Sequence, residues 1–205
     1  SYKRLISGLL QENFAVHSWS YIPNFDHQIQ ANHAWKQFRL SRKTLEKRVG
    51  LMPKSIRLGH SLGCKLHLLA PDGGRNCNGL VAISFNNFKA DKSIPMLRKM
   101  SQRLNFQTEF SPSPVETLKL IREHYEQLNN LLIKFKNDNL DQNNLLIKSL
   151  KQREYDKSKL MQLDGNHLSL VSLGLREQLL KSNPQNSLKY TNINLIVDQI
   201  THWEI

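Results

Sequence analysis

Apolar and polar positions recur along this chain with two periods, and the switches between them mark out the elements. Leu5, Ile6, Leu9 and Leu10, with Tyr2, form the stripe of an opening helix, whereas Phe14 to Trp19 reads as a strand followed by a turn at Pro23-Asn24. Asp26 is placed to cap a long helix through Ala31, Ala34, Phe38, Leu45 and Val49. A short strand over Ser55 to Leu58 then gives way to a helical pattern of Leu62, Leu66 and Leu69, closed by the loop Pro71-Asp72-Gly73-Gly74. Beyond it come a buried strand from Gly79 to Phe85, a helix carrying Val115, Leu118, Ile121 and Tyr125, and a strand from Asn130 to Phe135. The pattern ends with a helix over Asn143 to Leu150, a strand over Lys159 to Leu163, a helix over Leu168 to Leu180 and a last helical stripe of Ile193, Ile196, Val197, Ile200 and Trp203. Continuous apolar strands alternating with amphipathic helices predict an α/β fold, a mostly parallel sheet with helices on both faces.

Composition narrows the class. At 205 residues the chain fits one domain, and its two cysteines, Cys64 and Cys77, are too few for a disulfide framework, so a reducing compartment is expected. No apolar run approaches the roughly 18 residues of a membrane span, and no charged start leads into an apolar signal core, so a soluble protein is expected. The net charge is +12, and the basic density peaks between Lys36 and Arg57, with Arg39, Arg42, Lys43, Lys47, Arg48 and Lys54 between them. This stretch reads as the solvated face of a helix, or as a surface attractive to nucleic acid, anionic lipid or an acidic substrate. No zinc-finger spacing or aromatic RNA-binding signature accompanies it, so nucleic acid is the less favoured partner.

The candidate chemistry lies at Gly59-His60-Ser61-Leu62-Gly63. This is the G-x-S-x-G pattern of the α/β-hydrolase nucleophile elbow, in which a serine stands on a sharp strand-to-helix turn and glycines two residues either side avoid a clash. The pattern alone arises by chance in roughly one chain in fifteen of this length. What strengthens it is the strand before it and the helix after it; the competing reading is a glycine-rich helix start with a capping serine. In the elbow reading Ser61 is the nucleophile, the Leu62 amide is an oxyanion donor, and His60, at the variable position, lines the substrate pocket.

A serine nucleophile needs a base, and the base needs an acid to orient it, in the chain order serine, acid, histidine. Asp138 follows the Asn130–Phe135 strand and His167 follows the Lys159–Leu163 strand, both at carboxyl ends, on the edge where Ser61 is presented. Asp141 is the alternative acid and Asp164 a third. No pair of histidines and carboxylates has a recognisable ligand spacing, so neither a metal nor another cofactor is expected. The segment from residue 86 to 114 interrupts the rhythm with a short amphipathic helix and Ser111-Pro112-Ser113-Pro114, reading either as a connecting helix or, as in α/β-hydrolases, as a lid beside Asn86 and Asn87 in the substrate pocket. The organisation expected is a hydrolase-like domain over 1–182 with this insertion, and a tail over 183–205 whose helix docks on the domain or binds a partner. The chain starts at Ser1 with a helix already under way, so N-terminal strands are expected to be missing, among them the loop that gives such enzymes their second oxyanion donor. A sheet edge exposed in that way would promote association.

Phe14-Ala-Val-His-Ser-Trp-Ser-Tyr, Phe25-Asp-His-Gln28, the stretch Gly59 to Gly74 and Ser84-Phe-Asn-Asn-Phe88 together resemble the α/β-hydrolase-like family called domain of unknown function 1350. The resemblance implies the hydrolase fold, and, since that family occurs in cyanobacteria and plastids, a cyanobacterial cytoplasm or plastid stroma. It implies no substrate. Two functions follow: a cofactor-independent serine hydrolase or acyltransferase acting on an ester, thioester or lipid-like acyl substrate, or a non-catalytic α/β-hydrolase fold serving as a binding scaffold in photosynthetic cells. A separation of Ser61 and His167 beyond about 5 Å would favour the scaffold.

Overall fold

The computed structural model describes residues 2–52, 54–90, 109–171 and 184–203. Four strands, β1 (Ile56–His60), β2 (Gly79–Ile83), β3 (Asn130–Phe135) and β4 (Lys159–Leu163), form one all-parallel sheet in the order β1-β2-β3-β4. The crossovers carry α3 (Leu62–Leu68), α4 (Pro114–His124) and α5 (Asn143–Leu150); α1 (Lys3–Gln11) and α2 (His27–Val49) precede the sheet and α6 (Pro184–Thr201) follows it.

The two faces of the sheet explain why β2 and β3 are apolar runs rather than alternating ones. Val81 and Ile83 of β2, with Leu131, Ile133 and Phe135 of β3, point to a core closed by Leu5 and Leu9 of α1 and by Ile193, Ile196, Val197 and Ile200 of α6. Leu80, Ala82 and Leu132 point the opposite way, onto Cys64 and Leu68 of α3, Ile121 of α4 and Leu146 and Leu150 of α5. All five residues of β2 are buried. Each large aliphatic side chain so covered contributes about 1.5–3 kcal/mol, and β2 accordingly carries no polar side chain, while β3 admits only Asn130 at its start and the half-buried Lys134. α2 lies outside this pair of layers, packed on α3 through Ala31 against Leu66 and Leu69.

Local signals set several boundaries. The Asp26 carboxylate accepts the Ile29 amide at 2.8 Å and caps α2, which ends at Val49 with Gly50 as its C-cap. Ser113 and Glu116 form a reciprocal capping box at the start of α4. Ser84 ends β2 earlier than the apolar run does, because its backbone turns to φ +52°.

Phe14 to Trp19 is not a strand. Phe14 and Val16 do pack against the core, so the alternation reports one-sided burial, but no hydrogen-bonded ladder forms there among the described residues. Arg57 is likewise not part of the basic surface: it faces inward and pairs with Asp72 at 2.5 Å, whereas Lys36, Arg39, Lys43, Lys47 and Arg48 stand exposed on α2. Most of the expected lid, residues 91–108, and most of the helix expected over Leu168 to Leu180, residues 172–180, lie outside the described residues. Among the described residues no helix is long and apolar enough to cross a membrane, and no cluster of three or more His, Cys, Asp or Glu could hold a metal ion.

Three partly or fully enclosed imidazoles make the fold sensitive to acid. Burial lowers His27, His60 and His67 from 6.5 to about 4. Between those values the unfolded chain binds protons that the folded chain refuses, so stability falls as pH drops through that window. Asp141, raised to about 6 by burial, works in the opposite sense but is one group against three. The melting temperature followed by circular dichroism is therefore expected to fall steadily from pH 6.5 to pH 4; a flat profile would contradict the burial of these rings.

Candidate active site

The site begins where β1 turns into α3. Ser61 takes φ +54°, ψ −123°, a backbone conformation that side chains rarely adopt, and its amide donates to the Ile83 carbonyl at 2.9 Å. A Cβ on Gly59 would lie 2.6 Å from the Cys64 amide nitrogen, so that glycine is required by the close approach of strand and helix. Gly63 differs from the expectation. A Cβ there would meet nothing within 4 Å among the described residues, because the residue has already entered the helix and its Cβ position faces away from β1. Below the turn the buried Cys64 thiol lies 3.1 and 3.2 Å from the Gly59 and Ile83 carbonyls, and burial pushes its pKa up, so it stays a neutral donor.

His167 reaches this turn from the loop after β4. Its Nδ1 is 2.9 Å from Asp138 Oδ2 and its Nε2 3.1 Å from Ser61 Oγ. A carboxylate only accepts, so Nδ1 carries the proton, and Nε2 is left to accept from the serine hydroxyl. The Asp138 side chain is 0% exposed and that of His167 19%, so the carboxylate is sealed and the imidazole is open toward solvent. The second Asp138 oxygen accepts the Leu140 amide at 2.9 Å. Two backbone links, Lys136 N to Leu163 O and Asn137 N to Gly165 O, both 2.9 Å, stitch the Asp138 loop to the His167 loop. Gly165 sits at φ +129°, with no room for a Cβ beside Ser169 Oγ, and so lets the second loop turn back over the sheet.

The remaining expected residues are distributed as follows. Leu62 is the first residue of α3, where a helix leaves its amide without an intrahelical acceptor. Asp141 does not touch His167; it accepts the Asn143 amide at 3.0 Å and the Asn143 side chain at 2.8 Å, and Asn143 in turn donates to the Ile133 carbonyl. Asn87 is buried, its amide donating to Gln142 Oε1 at 2.7 Å and its side chain to the Pro114 carbonyl at 2.9 Å, so it ties the end of β2 to the starts of α4 and α5. Asn86 caps a local turn through the Phe88 amide. His60 uses both ring nitrogens, toward the Tyr2 hydroxyl and the His167 carbonyl, and its ring stands beside that of His167. Sequence reading missed Tyr2 and Gln142 because their partners are distant in the chain and no spacing announces them.

The profile of the family described as Protein of unknown function (DUF1350) matches residues 1–187. No curated protein matches the chain. Among solved structures, the monoacylglycerol lipase of Paleococcus ferrophilus is similar with a TM-score of 0.59 at 14% identity, covering 96% of this chain and 88% of the lipase. An esterase domain from Rhodothermus marinus gives 0.55 at 14% identity, covering 97% and 78%, and the Pyrococcus furiosus esterase Pf2001 gives 0.51 at 14%, covering 93% and 75%. At such identities the likeness is one of fold, the α/β-hydrolase fold.

The two elbow glycines should respond oppositely to alanine. Gly59→Ala, driven into the α3 backbone, is expected to lower the melting temperature by many degrees or prevent folding, whereas Gly63→Ala, in a helix with open space, should be neutral or stabilise by up to about 1 kcal/mol. Thermal melts of both decide this; equal losses would contradict the asymmetry.

Proposed function

The chain belongs to the DUF1350 family and has the α/β-hydrolase fold, and from that premise we propose that it is a serine hydrolase or acyltransferase working through Ser61, His167 and Asp138. The observation that carries the proposal is the unbroken hydrogen-bonded chain from Ser61 Oγ through His167 to a fully buried Asp138 carboxylate. The substrate class proposed is an ester, thioester or lipid-like acyl compound.

Ser61 gives its proton to His167 Nε2 as Oγ attacks the acyl carbonyl, and the Leu62 amide at the α3 N-terminus donates to the oxyanion. His167, now an imidazolium, is stabilised by the Asp138 carboxylate and returns the proton to the departing alcohol or thiol. The acyl group left on Ser61 passes to water in hydrolysis or to a second acceptor in acyl transfer, with His167 again taking and returning a proton. None of these steps calls for a metal or another cofactor. A non-catalytic scaffold has no use for a base within hydrogen-bonding distance of a nucleophile held in a strained backbone conformation, which favours the enzyme reading. The basic face of α2 is proposed to meet an anionic surface only in a supporting role.

Because the solved structures of similar fold include a lipase and two esterases, short-chain and medium-chain p-nitrophenyl esters are the first substrates to try. Steady-state assays should show turnover that Ser61→Ala lowers on the order of 10⁶-fold in kcat and that Asp138→Asn lowers about 10⁴-fold, by leaving His167 in the wrong tautomer. Turnover unaffected by Ser61→Ala would reject the proposal.

A further inference from the structure

The hydrolase mechanism uses the side chain of His167 but leaves open what holds its backbone. We infer that His60, backed by Tyr2, is a positioning residue that fixes the base His167 by a hydrogen bond to its carbonyl oxygen, so that nucleophile and base are registered by one turn of chain. The inference rests on the hydrolase reading above.

The geometry defines every proton in the link. His60 Nε2 is 3.1 Å from the His167 carbonyl oxygen, which only accepts, so Nε2 bears hydrogen. A neutral ring then has a bare Nδ1, and the Tyr2 hydroxyl, 2.8 Å away, donates to it. Both polar ends of His60 are thereby consumed, and the ring is clamped between two others, edge-to-face with Tyr2 at 5.6 Å and tilted against His167 at 4.9 Å between centroids. His60 precedes Ser61 in the chain. Any displacement of the elbow moves Ser61 and the His60 prop together, and the prop carries His167 with it.

Charge makes the choice of a neutral ring necessary. During acyl transfer His167 becomes a cation less than 5 Å from His60. A charged neighbour would oppose that step. Burial, followed by the nearness of His167, lowers His60 from 6.5 to about 4, and its Nδ1 lone pair is already committed to Tyr2. The ring therefore stays uncharged through the working range. Asp138, the other charged group that acts on His60, is taken up by His167 Nδ1.

Three variants separate a hydrogen-bonding prop from simple packing. His60→Gln keeps an N–H for the His167 carbonyl and an oxygen for Tyr2; His60→Leu keeps much of the volume and neither bond; Tyr2→Phe removes only the outer hydroxyl. With a fluorophosphonate probe, His60→Leu should lower the maximal inactivation rate of Ser61 about 10²-fold, the cost of a base misplaced by about an ångström. The probe concentration at half-maximal rate should hardly change. His60→Gln should recover most of the rate, and Tyr2→Phe should lose about fivefold. The proton NMR resonance of His167 Nδ1–H, carried far downfield by its bond to Asp138, gives a reading independent of activity: it should shift or broaden in His60→Leu and stay in place in His60→Gln. Should His60→Leu fail to fold, Tyr2→Phe and His60→Gln carry the test. A full rate and an unmoved resonance in His60→Leu would overturn the inference, as would an equal loss in His60→Gln. Absence of labelling in the unaltered chain would instead overturn the hydrolase reading, and this role with it.

Discussion

The turn between β1 and α3 is the constraint on which the rest of the site depends. Ser61 is held at positive φ by its amide's bond to Ile83 and by Gly59 lying against the backbone of α3. Such a conformation costs on the order of 1–3 kcal/mol and persists only where the surroundings over-determine it. Here they do: β1 pairs along its length with the fully buried β2, and the Cys64 thiol bonds the Gly59 carbonyl of β1 and the Ile83 carbonyl of β2. The hydroxyl is therefore presented by the scaffold and needs no reorganisation to meet the His167 ring.

The parallel sheet does the second part of the work. Because all four strands run the same way, the elbow, the Asp138 loop and the His167 loop emerge at one edge, and consecutive crossovers bring residues far apart in sequence into a single hydrogen-bonded chain. Backbone bonds between the β3 and β4 loops set the spacing of Asp138 and His167. Behind them the buried Asn87 and Asn143, with the half-buried Asp141 and Gln142, bind the loops to α4 and α5. Asp141 is thereby taken up by Asn143, a partner that its position in the sequence does not announce.

What could be read from sequence was what repeats or what the chemistry orders. The strand Asn130–Phe135, the helix Asn143–Leu150 and the strand Lys159–Leu163 have the boundaries their periodicity gives: β3 is buried over most of its length, whereas β4, exposed at Lys159, Leu160 and Gln162, is fixed by its ladder to β3. The order of Ser61, Asp138 and His167 along the chain follows from the sheet. Three features resist sequence reading. Alternation over Phe14 to Trp19 signals burial but not a ladder, since a strand also needs a neighbour of free backbone. The demand for glycine at 63 was inferred from the motif, while the space around it is a property of the assembled turn. The links from Tyr2 to His60 and from His60 to His167 span 58 and 107 positions, and no local pattern encodes them.

The central claim is that Ser61 is an activated nucleophile. Its most direct test is to treat the folded protein with a fluorophosphonate, digest it and map the adduct by tandem mass spectrometry. The account predicts a single stoichiometric adduct on Ser61 that disappears when the protein is unfolded before exposure. An adduct on another serine, or equal labelling of folded and unfolded chain, would contradict it.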